Sequence, residues 1–295
     1  MQSAHAAGAF PAGVPGLSVR WIDGDGWRAR CVEAGDADAP PVVMLPGWGC
    51  SAYTFRRNIP ALAAAGWRVC VVEPPGQGWS DKPDRPSAYA LPALARHVVD
   101  ILDRLHIESA PVIGQSLGGG IALQIALDAP TRARRLALWS PIGFGCSPVV
   151  HVGALLPVEL APLFERTVGP RIVRHALKIV YGPSHAPTDE NVREYSAPIA
   201  DGGYVRAHIE LLRNVRWAPL SAEEMSRLTL PIVIVTGSAD PVVPERYLVD
   251  ASESLPNGRL HLLAGAAHAS NETHFDEVNR ETIAFLRVPD ALATS

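Results

Sequence analysis

The stretch Ala110-Pro-Val-Ile-Gly-Gln-Ser-Leu-Gly-Gly-Gly-Ile121 joins a short apolar run to the start of a segment with helical spacing. At its centre, Gly114-Gln115-Ser116-Leu117-Gly118 has the pattern GxSxG. Between a strand and a helix, this pattern is typical of a nucleophilic serine on a strained turn, where the glycines let the backbone pack closely. The alternative is a glycine-rich turn with an incidental serine. The strand–turn–helix setting favours Ser116 as a nucleophile.

Short apolar runs recur on both sides of this stretch and predict a mostly parallel sheet. They are apolar almost throughout, as strands buried on both faces of a sheet should be. The six runs are Val42–Leu45, Arg68–Val72, Ala110–Ile113, Leu136–Trp139, Ile232–Val235 and Leu260–Leu263. Two earlier segments, Leu17–Ile22 and Trp27–Glu33, flank the turn signal Asp-Gly-Asp-Gly and predict a hairpin.

Segments with helical spacing alternate with these runs. They are Leu91–Leu105, Ile121–Ala129 and Phe275–Leu286. Alternating strands and helices predict the α/β class, with eight strands in one sheet and helices on both of its faces.

One interval, residues 143–227, has no strand-like run and contains short amphipathic segments punctuated by proline. It is too long for a loop, so we expect a helical cap inserted into the sheet domain. The predicted domains are therefore a core over 17–142 and 228–290, the cap over 143–227, and a flexible N-terminal segment over 1–16.

Two further residues complete a candidate catalytic triad. Asp240 lies in a loop just after the run Ile232–Val235, and His268 follows the last apolar run. Taken alone, Asp240 could equally be a turn or helix-capping residue. The order Ser, Asp, His is the one found when a serine nucleophile sits on a strand-to-helix turn, and each residue follows a strand end. The sequence therefore predicts His268 as general base and Asp240 as the acid that orients it.

The segment Leu45-Pro-Gly-Trp-Gly49 is the candidate for an oxyanion hole. Acyl transfer passes through an oxyanion that preorganised backbone N–H groups stabilise. We expect one donor to be the N–H of Leu117, the residue after the nucleophile, and the other to be the N–H of Trp48. The alternative for this segment is a tight turn with a packed tryptophan.

Residues 17–288 resemble the capped α/β-hydrolase family, which includes esterases, haloperoxidase-like perhydrolases and meta-cleavage C–C hydrolases. The resemblance rests on motifs in family order: Pro46-Gly-Trp-Gly49, Glu73-Pro-Pro-Gly-Gln-Gly-Trp-Ser-Asp-Lys-Pro83, the Ser116 turn, Gly237-Ser-Ala-Asp240 and Ala267-His268. It implies an α/β-hydrolase fold. It also implies that serine rather than aspartate at position 116 argues against haloalkane dehalogenase and epoxide hydrolase chemistry, which runs through an alkyl-enzyme ester.

The chain departs from the family pattern at three positions. Pro46 replaces the usual histidine of the oxyanion loop, so what orients that loop is left open. Glu73 replaces an aspartate, and we expect a structural role for it. Ala269 replaces the tryptophan that follows the histidine in meta-cleavage hydrolases, which disfavours C–C hydrolysis without excluding it.

Composition excludes several other classes of function. The net charge of −4 gives no electrostatic reason to expect nucleic acid or an anionic membrane as a partner. Four cysteines match no zinc or CxxC spacing, no metal-ligand cluster or GxGxxG motif is present, and we expect no metal and no cofactor. The chain begins without a signal-peptide pattern and has no apolar run of membrane-spanning length, so the expected location is cytoplasmic.

Several other polar residues could compete for a role. We expect His274 to be a surface or capping residue at the start of the last helix, Asp81 to lie on a surface loop, and the cap histidines His151, His175, His185 and His208 to be solvated or packed. Cys50 and Cys146 are expected near the pocket without a part in the chemistry.

Together these features predict a serine hydrolase that cleaves a small-to-medium carboxylic ester with water through an acyl-enzyme. The cap should supply the pocket walls, with Phe144, Leu155 and Phe164 as candidate substrate-binding residues. C–C bond hydrolysis next to a carbonyl, and thioester or lactone hydrolysis, are the alternatives among enzymes. A ligand-binding receptor on a hydrolase scaffold is the alternative outside them.

Overall fold

The structure, a computed structural model that describes residues 8–148 and 155–289, contains one eight-stranded sheet. Its order is β1-β2-β4-β3-β5-β6-β7-β8. The strands are β1 (Leu17–Asp23), β2 (Arg28–Ala34), β3 (Pro41–Leu45), β4 (Arg68–Glu73), β5 (Ala110–Gln115), β6 (Ala133–Trp139), β7 (Ile232–Gly237) and β8 (Gly258–Leu263). Strand β2 pairs antiparallel with β1 and β4, and the other pairings are parallel. The predicted fold class is confirmed.

The apolar runs form central strands because both faces of the sheet are covered. Along β3, Val43 and Leu45 belong to one apolar core, whereas Val42 and Met44 belong to the core on the opposite face. Every residue of β5 and β7 is buried. Full burial of each valine or isoleucine side chain in these strands stabilises the fold by about 1.5–3 kcal/mol, which is why the runs carry few polar residues.

Helices cover the two faces between the strands. Those outside the predicted cap are α1 (Ile59–Ala64), α2 (Leu91–Arg104), α3 (Leu117–Asp128), α9 (Glu245–Ser254), α10 (Ser270–Thr273) and α11 (Phe275–Arg287). In α2, Leu91, Leu94, Val98, Ile101 and Leu102 are buried on one face, as their spacing predicts. Helix α3 begins four residues earlier than its apolar pattern, directly after Ser116.

Between β6 and β7 the described residues are helical, with no strand from 155 to 231. The helices are α4 (Ala161–Thr167), α5 (Pro170–Tyr181), α6 (Asp189–Ser196), α7 (Tyr204–Asn214) and α8 (Ala222–Arg227). Thr188 and Ser221 form capping boxes at the starts of α6 and α8. The treatment of this segment as a separate cap with bounds at 143 and 227 stays a prediction, and His151 lies outside the described residues.

The described part of the N-terminal segment contacts the fold at Phe10, and the flexibility expected for residues 1–16 stays a prediction. The Phe10 ring packs edge-on against Tyr53, with centroids 5.6 Å apart. The Phe10 backbone N–H donates to Glu194 at 3.2 Å, and its carbonyl accepts a hydrogen bond from the Arg30 guanidinium. These contacts join half-buried Phe10 to the sheet domain and to α6.

Candidate active site

Ser116 lies on the turn between β5 and α3 in a strained backbone conformation, with φ 52° and ψ −114°. Positive φ is rare outside glycine and clusters at functional sites. The neighbouring glycine explains how the turn fits: a Cβ on Gly118 would lie 2.0 Å from the carbonyl oxygen of Leu45. The glycine spacing of the motif therefore lets the end of β3 and the start of α3 meet beside the serine.

Three side chains from separate strand-end loops meet at this turn. His268 Nε2 lies 3.0 Å from Ser116 Oγ, and His268 Nδ1 lies 2.8 Å from Asp240 Oδ2. An ionised aspartate only accepts hydrogen bonds, so Nδ1 carries the proton and Nε2 is free to accept the serine proton. All three side chains are buried. The structure therefore brings the three predicted residues together in the order that base-assisted attack requires.

Asp240 is held as a carboxylate. Burial raises its pKa, but the attraction and hydrogen bond of His268 and the backbone N–H groups of Val243 and Val242 outweigh burial and leave the pKa below its ordinary value. Those two N–H groups donate to Oδ1 at 2.9 and 2.8 Å. One carboxylate oxygen is thus fixed by the loop, and the other is presented to the histidine.

The predicted oxyanion loop lies against the serine turn. A Cβ on Gly47 would lie 3.2 Å from Ser116 Cβ, and Trp48 lines the same cavity as Ser116. Leu117, the other predicted donor, is the first residue of α3 and is buried. The structure therefore places both residues next to the nucleophile, and their roles as donors belong to the proposal below.

Gln77 positions the oxyanion loop, in which Pro46 stands where the resemblance implies a histidine. With its amide oriented to match its neighbours, Gln77 donates to the carbonyl oxygens of Gly47 at 2.9 Å and Pro46 at 3.3 Å. Glu73 braces the adjoining chain, because its carboxylate accepts hydrogen bonds from the N–H groups of Ala52 and Trp79 and is ion-paired with buried Arg30. Gln77 was not predicted from the sequence, although it stands between Gly76 and Gly78.

A cavity of about 360 Å³ opens above Ser116 and His268. Its wall is largely apolar and comes mainly from the helices over 161–214. The apolar wall residues there are Phe164, Val168, Ile172, Val173, Ala176, Leu177, Val180, Ile199, Val205, Ile209 and Leu212. Of the three predicted wall residues, Phe164 is among them.

The other two predicted wall residues do not line the cavity. Phe144 is buried in the core cluster that includes Leu123 and Ile142, because the chain turns inward after β6. Leu155 is 78% exposed to solvent. Apolar character alone therefore did not distinguish a core residue or a surface residue from a pocket wall.

Glu272 forms a polar corner in the cavity that sequence reasoning also missed. Its carboxylate accepts hydrogen bonds from Tyr181 Oη at 2.7 Å and from Thr54 Oγ1 at 3.3 Å, and from the Tyr195 hydroxyl and the Arg56 guanidinium. The two tyrosines come from α5 and α6, so this buried group ties the helical segment to the sheet domain. Its signal in the sequence was its position four residues after His268.

The two cysteines expected near the pocket differ. Cys50 lines the cavity, and burial, with the negative charge of Glu272, raises the pKa of its thiol to about 12. The thiol is therefore protonated at neutral pH and is not a nucleophile. Cys146 is buried and is not a lining residue.

The remaining candidates lie away from the triad, with one exception. His274 precedes α11, where its Nδ1 contacts Thr273 Oγ1 and its ring packs on His185. His175 is exposed, and Asp81 is exposed and accepts a hydrogen bond from the Arg28 N–H. The exception is His208, which is packed as expected but also lines the cavity.

Among residues 8–148 and 155–289, no group of three or more His, Cys, Asp or Glu side chains could hold a metal ion. The helices in the same ranges are all too short or too polar to cross a membrane.

Comparison with known proteins places this geometry in a family. Residues 40–275 match the family model described as alpha/beta hydrolase fold. The magnesium-chelatase 30 kDa subunit of Rhodobacter capsulatus is 30% identical over 83% of this chain and 86% of that protein. The 2-hydroxy-6-oxo-6-phenylhexa-2,4-dienoate hydrolase of Burkholderia cepacia is 28% identical over 88% of this chain and 91% of that protein.

Solved structures agree on the fold. A meta-cleavage product hydrolase from Pseudomonas fluorescens superposes with a TM-score of 0.77 and 26% identity, over 90% of this chain and 96% of that one. A carboxylesterase from Bacillus subtilis superposes with a TM-score of 0.80 and 21% identity, over 92% of each chain. The chain belongs to the α/β-hydrolase family.

Proposed function

We propose that this α/β-hydrolase is a serine hydrolase that cleaves neutral, largely apolar carboxylic esters of small to medium size. The observation that carries the proposal is the hydrogen-bonded row Ser116–His268–Asp240 at the floor of an apolar cavity. The family as a whole hosts several chemistries, so the bond and the substrate must be argued from the site itself.

The chemistry follows from the hydrogen bonds. His268 Nε2 takes the proton of Ser116 Oγ as the oxygen attacks the ester carbonyl, and the Asp240 carboxylate stabilises the imidazolium that forms. The N–H groups of Leu117 and Trp48 hold the oxyanion. His268 then protonates the departing alcohol, and a water molecule activated by the same histidine hydrolyses the acyl-enzyme.

The charge of the cavity supports a neutral substrate. Its lining within the described residues contains no Lys or Arg, and its one carboxylate is Glu272. Arg56 is ion-paired with Glu272 and does not line the cavity. An anionic substrate would place a second carboxylate in a largely apolar cavity whose described lining offers it no cation, which is unfavourable.

C–C bond hydrolysis is the second candidate, because two relatives named as dienoate hydrolases align over about nine-tenths of the chain. The same serine and histidine would serve that reaction. Two features disfavour it: dienoates carry a carboxylate, and Ala269 stands where the resemblance implies a tryptophan.

A substrate panel separates the candidates. We expect 4-nitrophenyl butyrate to be hydrolysed with a kcat/KM at least tenfold higher than its anionic analogue, the 4-nitrophenyl monoester of succinate, and higher than a 2-hydroxy-6-oxodienoate. Thioesters and lactones of matched size belong in the same panel. Faster cleavage of the dienoate, abolished in Ser116→Ala, would replace the ester proposal with C–C hydrolysis.

A further inference from the structure

The end of α5 lies against the loop that carries His268. Helix α5 finishes at Tyr181, and the last turn of a helix leaves carbonyl groups without partners inside the helix. One of them, the Val180 carbonyl oxygen, accepts a hydrogen bond from the Ala269 backbone N–H at 2.9 Å. A helix that forms much of the cavity wall is therefore bonded to the residue next to the proposed general base.

Tyr181, the last residue of α5, holds the helix that follows this loop. Its hydroxyl donates to Glu272 of α10 at 2.7 Å, and its ring belongs to the same apolar cluster as Ala269. Helix α10 has only four residues, too few to form a stable helix by themselves. Its position therefore depends on contacts such as this one with the rest of the protein.

Gly182 comes directly after α5 and contacts the residue that precedes His268. A Cβ at position 182 would lie 3.0 Å from the Cβ of Ala267, which is tighter than an ordinary contact. The φ angle of 79° at Gly182 also disfavours any other residue there. Ala267 precedes His268 and Ala269 follows it, so the end of α5 contacts the backbone on both sides of the histidine.

The position of this backbone matters because His268 must meet two partners at once. Its ring lies 3.0 Å from the Ser116 hydroxyl oxygen and 2.8 Å from the Asp240 carboxylate. Asp240 orients the ring, but the main chain fixes the point from which the ring extends. A misplacement of about 1 Å in such a site can cost about a hundredfold in rate. Tyr181 and Gly182 do not line the cavity, so a change in either should act through the loop instead of through contact with substrate.

We propose that Tyr181 and Gly182 are positioning residues for His268, and that the end of α5 holds the histidine loop where base-assisted attack by Ser116 requires it. The inference rests on the proposed function, because it takes His268 as the general base. It gives α5 two tasks, since residues earlier in the same helix line the cavity. Changes at its end should affect the chemistry, whereas changes along its wall face should affect substrate choice.

The test compares Gly182→Ala with Gly203→Ala. Gly203 also has a positive φ, 82°, in the helical segment, but the atom nearest to a Cβ there is 3.6 Å away on Arg206. Both variants strain the backbone, and only the first presses on the histidine loop. For 4-nitrophenyl butyrate, we expect kcat per site titrated with a fluorophosphonate to fall about tenfold in Gly182→Ala, with little change in KM. Gly203→Ala should keep kcat per site near the wild-type value.

Titration of the sites separates positioning from a merely structural role, because partial unfolding lowers the number of reactive sites but not the turnover of each one. The proton NMR resonance of the His268 Nδ1–H bonded to Asp240 gives a second readout. It should shift in Gly182→Ala and stay unchanged in Gly203→Ala. An unchanged kcat per site in Gly182→Ala, or an equal loss in both variants, would overturn the inference while ester hydrolysis itself stands.

Tyr181→Phe decides the question if Gly182→Ala does not fold. It keeps the ring that packs in the cluster with Ala269 and removes only the hydroxyl. The kcat per site should then fall about threefold, the effect of one hydrogen bond, at unchanged KM. A kcat equal to that of wild type would overturn the inference. Failure of the proposed function gives another result: wild-type protein that the fluorophosphonate does not label, or Ser116→Ala protein that still hydrolyses the ester.

Discussion

The strands that lead to the catalytic loops and the helices over 161–181 differ in how far their apolar residues are buried. Strands β5 and β7, which lead to Ser116 and Asp240, are buried at every position. On the helices, Leu163 is 56% exposed and Ile172 is 52% exposed, although Ile172 also lines the cavity. Packing on both faces leaves the strand-end loops little freedom, whereas an exposed wall position such as Ile172 can change with less effect on a core. We therefore expect changes in the loops to alter the chemistry and changes in the wall to alter the choice of substrate.

The largest effect should come from Ser116→Ala. Removing the nucleophile should lower kcat by at least ~10⁴, as loss of a triad serine does elsewhere, with little change in the melting temperature. The matched control is Ser140→Ala, because Ser140 is also buried at a strand end with positive φ but bonds to Thr236 instead of a histidine. Turnover of the control within tenfold of wild type is expected. Equal losses in both variants would mean that the strand ends tolerate no change and that the loss does not identify a nucleophile.

Asp240→Asn should come next, with a fall in kcat of up to ~10⁴. The amide N–H₂ would face His268 Nδ1 and favour the tautomer whose Nε2 carries the proton and cannot accept another. Asp81→Asn is the control, because Asp81 is an exposed loop residue that only accepts a backbone N–H. Steady-state kinetics of both variants check the assignment, and a greater loss from Asp81→Asn would reassign the acid.

Gln77→Ala tests whether the side chain of Gln77 positions the oxyanion loop. Losing the hydrogen bonds to Pro46 and Gly47 should lower kcat about tenfold with little change in KM, because the oxyanion forms only in the transition state. Gln124→Ala removes a half-buried glutamine of α3 that bonds to Asp128 and should change neither constant. A rise in KM at unchanged kcat would mean that Gln77 shapes the ground-state pocket instead.

Changes in the helical wall should alter which esters the enzyme prefers. Phe164→Ala enlarges the cavity, so kcat/KM for octanoate esters should rise relative to that for butyrate esters. The change in discrimination between the two should be about 1–3 kcal/mol. Leu163→Ala, its exposed neighbour on α4, should leave that ratio unchanged. If Phe164→Ala instead lowered kcat/KM for every ester by one common factor, the wall would not act on substrate choice separately from the chemistry.

The smallest effect concerns pH. Turnover should fall on acidification, because the reaction needs a base that can still accept the proton of Ser116. His208 should not contribute, because its buried ring has a pKa of about 3 and stays neutral through this range. The acid limb of kcat/KM should therefore have the same midpoint in wild type and in His208→Phe. A midpoint displaced by more than half a pH unit would show that the two histidines are coupled.

The same contrast explains what could be predicted from the sequence. Ser116, Asp240 and His268 follow buried strands, and parallel strands bring their ends to one edge of the sheet, so their meeting could be predicted before any coordinates. Helical spacing marks which face of a helix is buried but not what covers it. Phe144 and Leu155 were therefore wrongly predicted to line the cavity, although both are apolar and belong to the segment that was expected to supply its wall.

Contacts that depend on side-chain reach were equally hidden. Gln77 donates to the backbone of the oxyanion loop at Pro46 and Gly47, although it lies about 30 residues further along the chain. Glu272 collects donors from α5, α6 and the segment after β3. Such hydrogen bonds join elements whose relative placement depends on the whole fold, and no local pattern in the sequence records them.

The central claim is that Ser116 is an activated nucleophile, and covalent labelling tests it most directly. The purified protein would be treated with a fluorophosphonate, and the intact mass and the labelled peptide would be determined by mass spectrometry. We predict one adduct per chain on Ser116, absent in Ser116→Ala and much slower to form in Asp240→Asn. A protein that does not react, as expected of a ligand-binding receptor, or an adduct on another residue such as Cys50, would contradict the account.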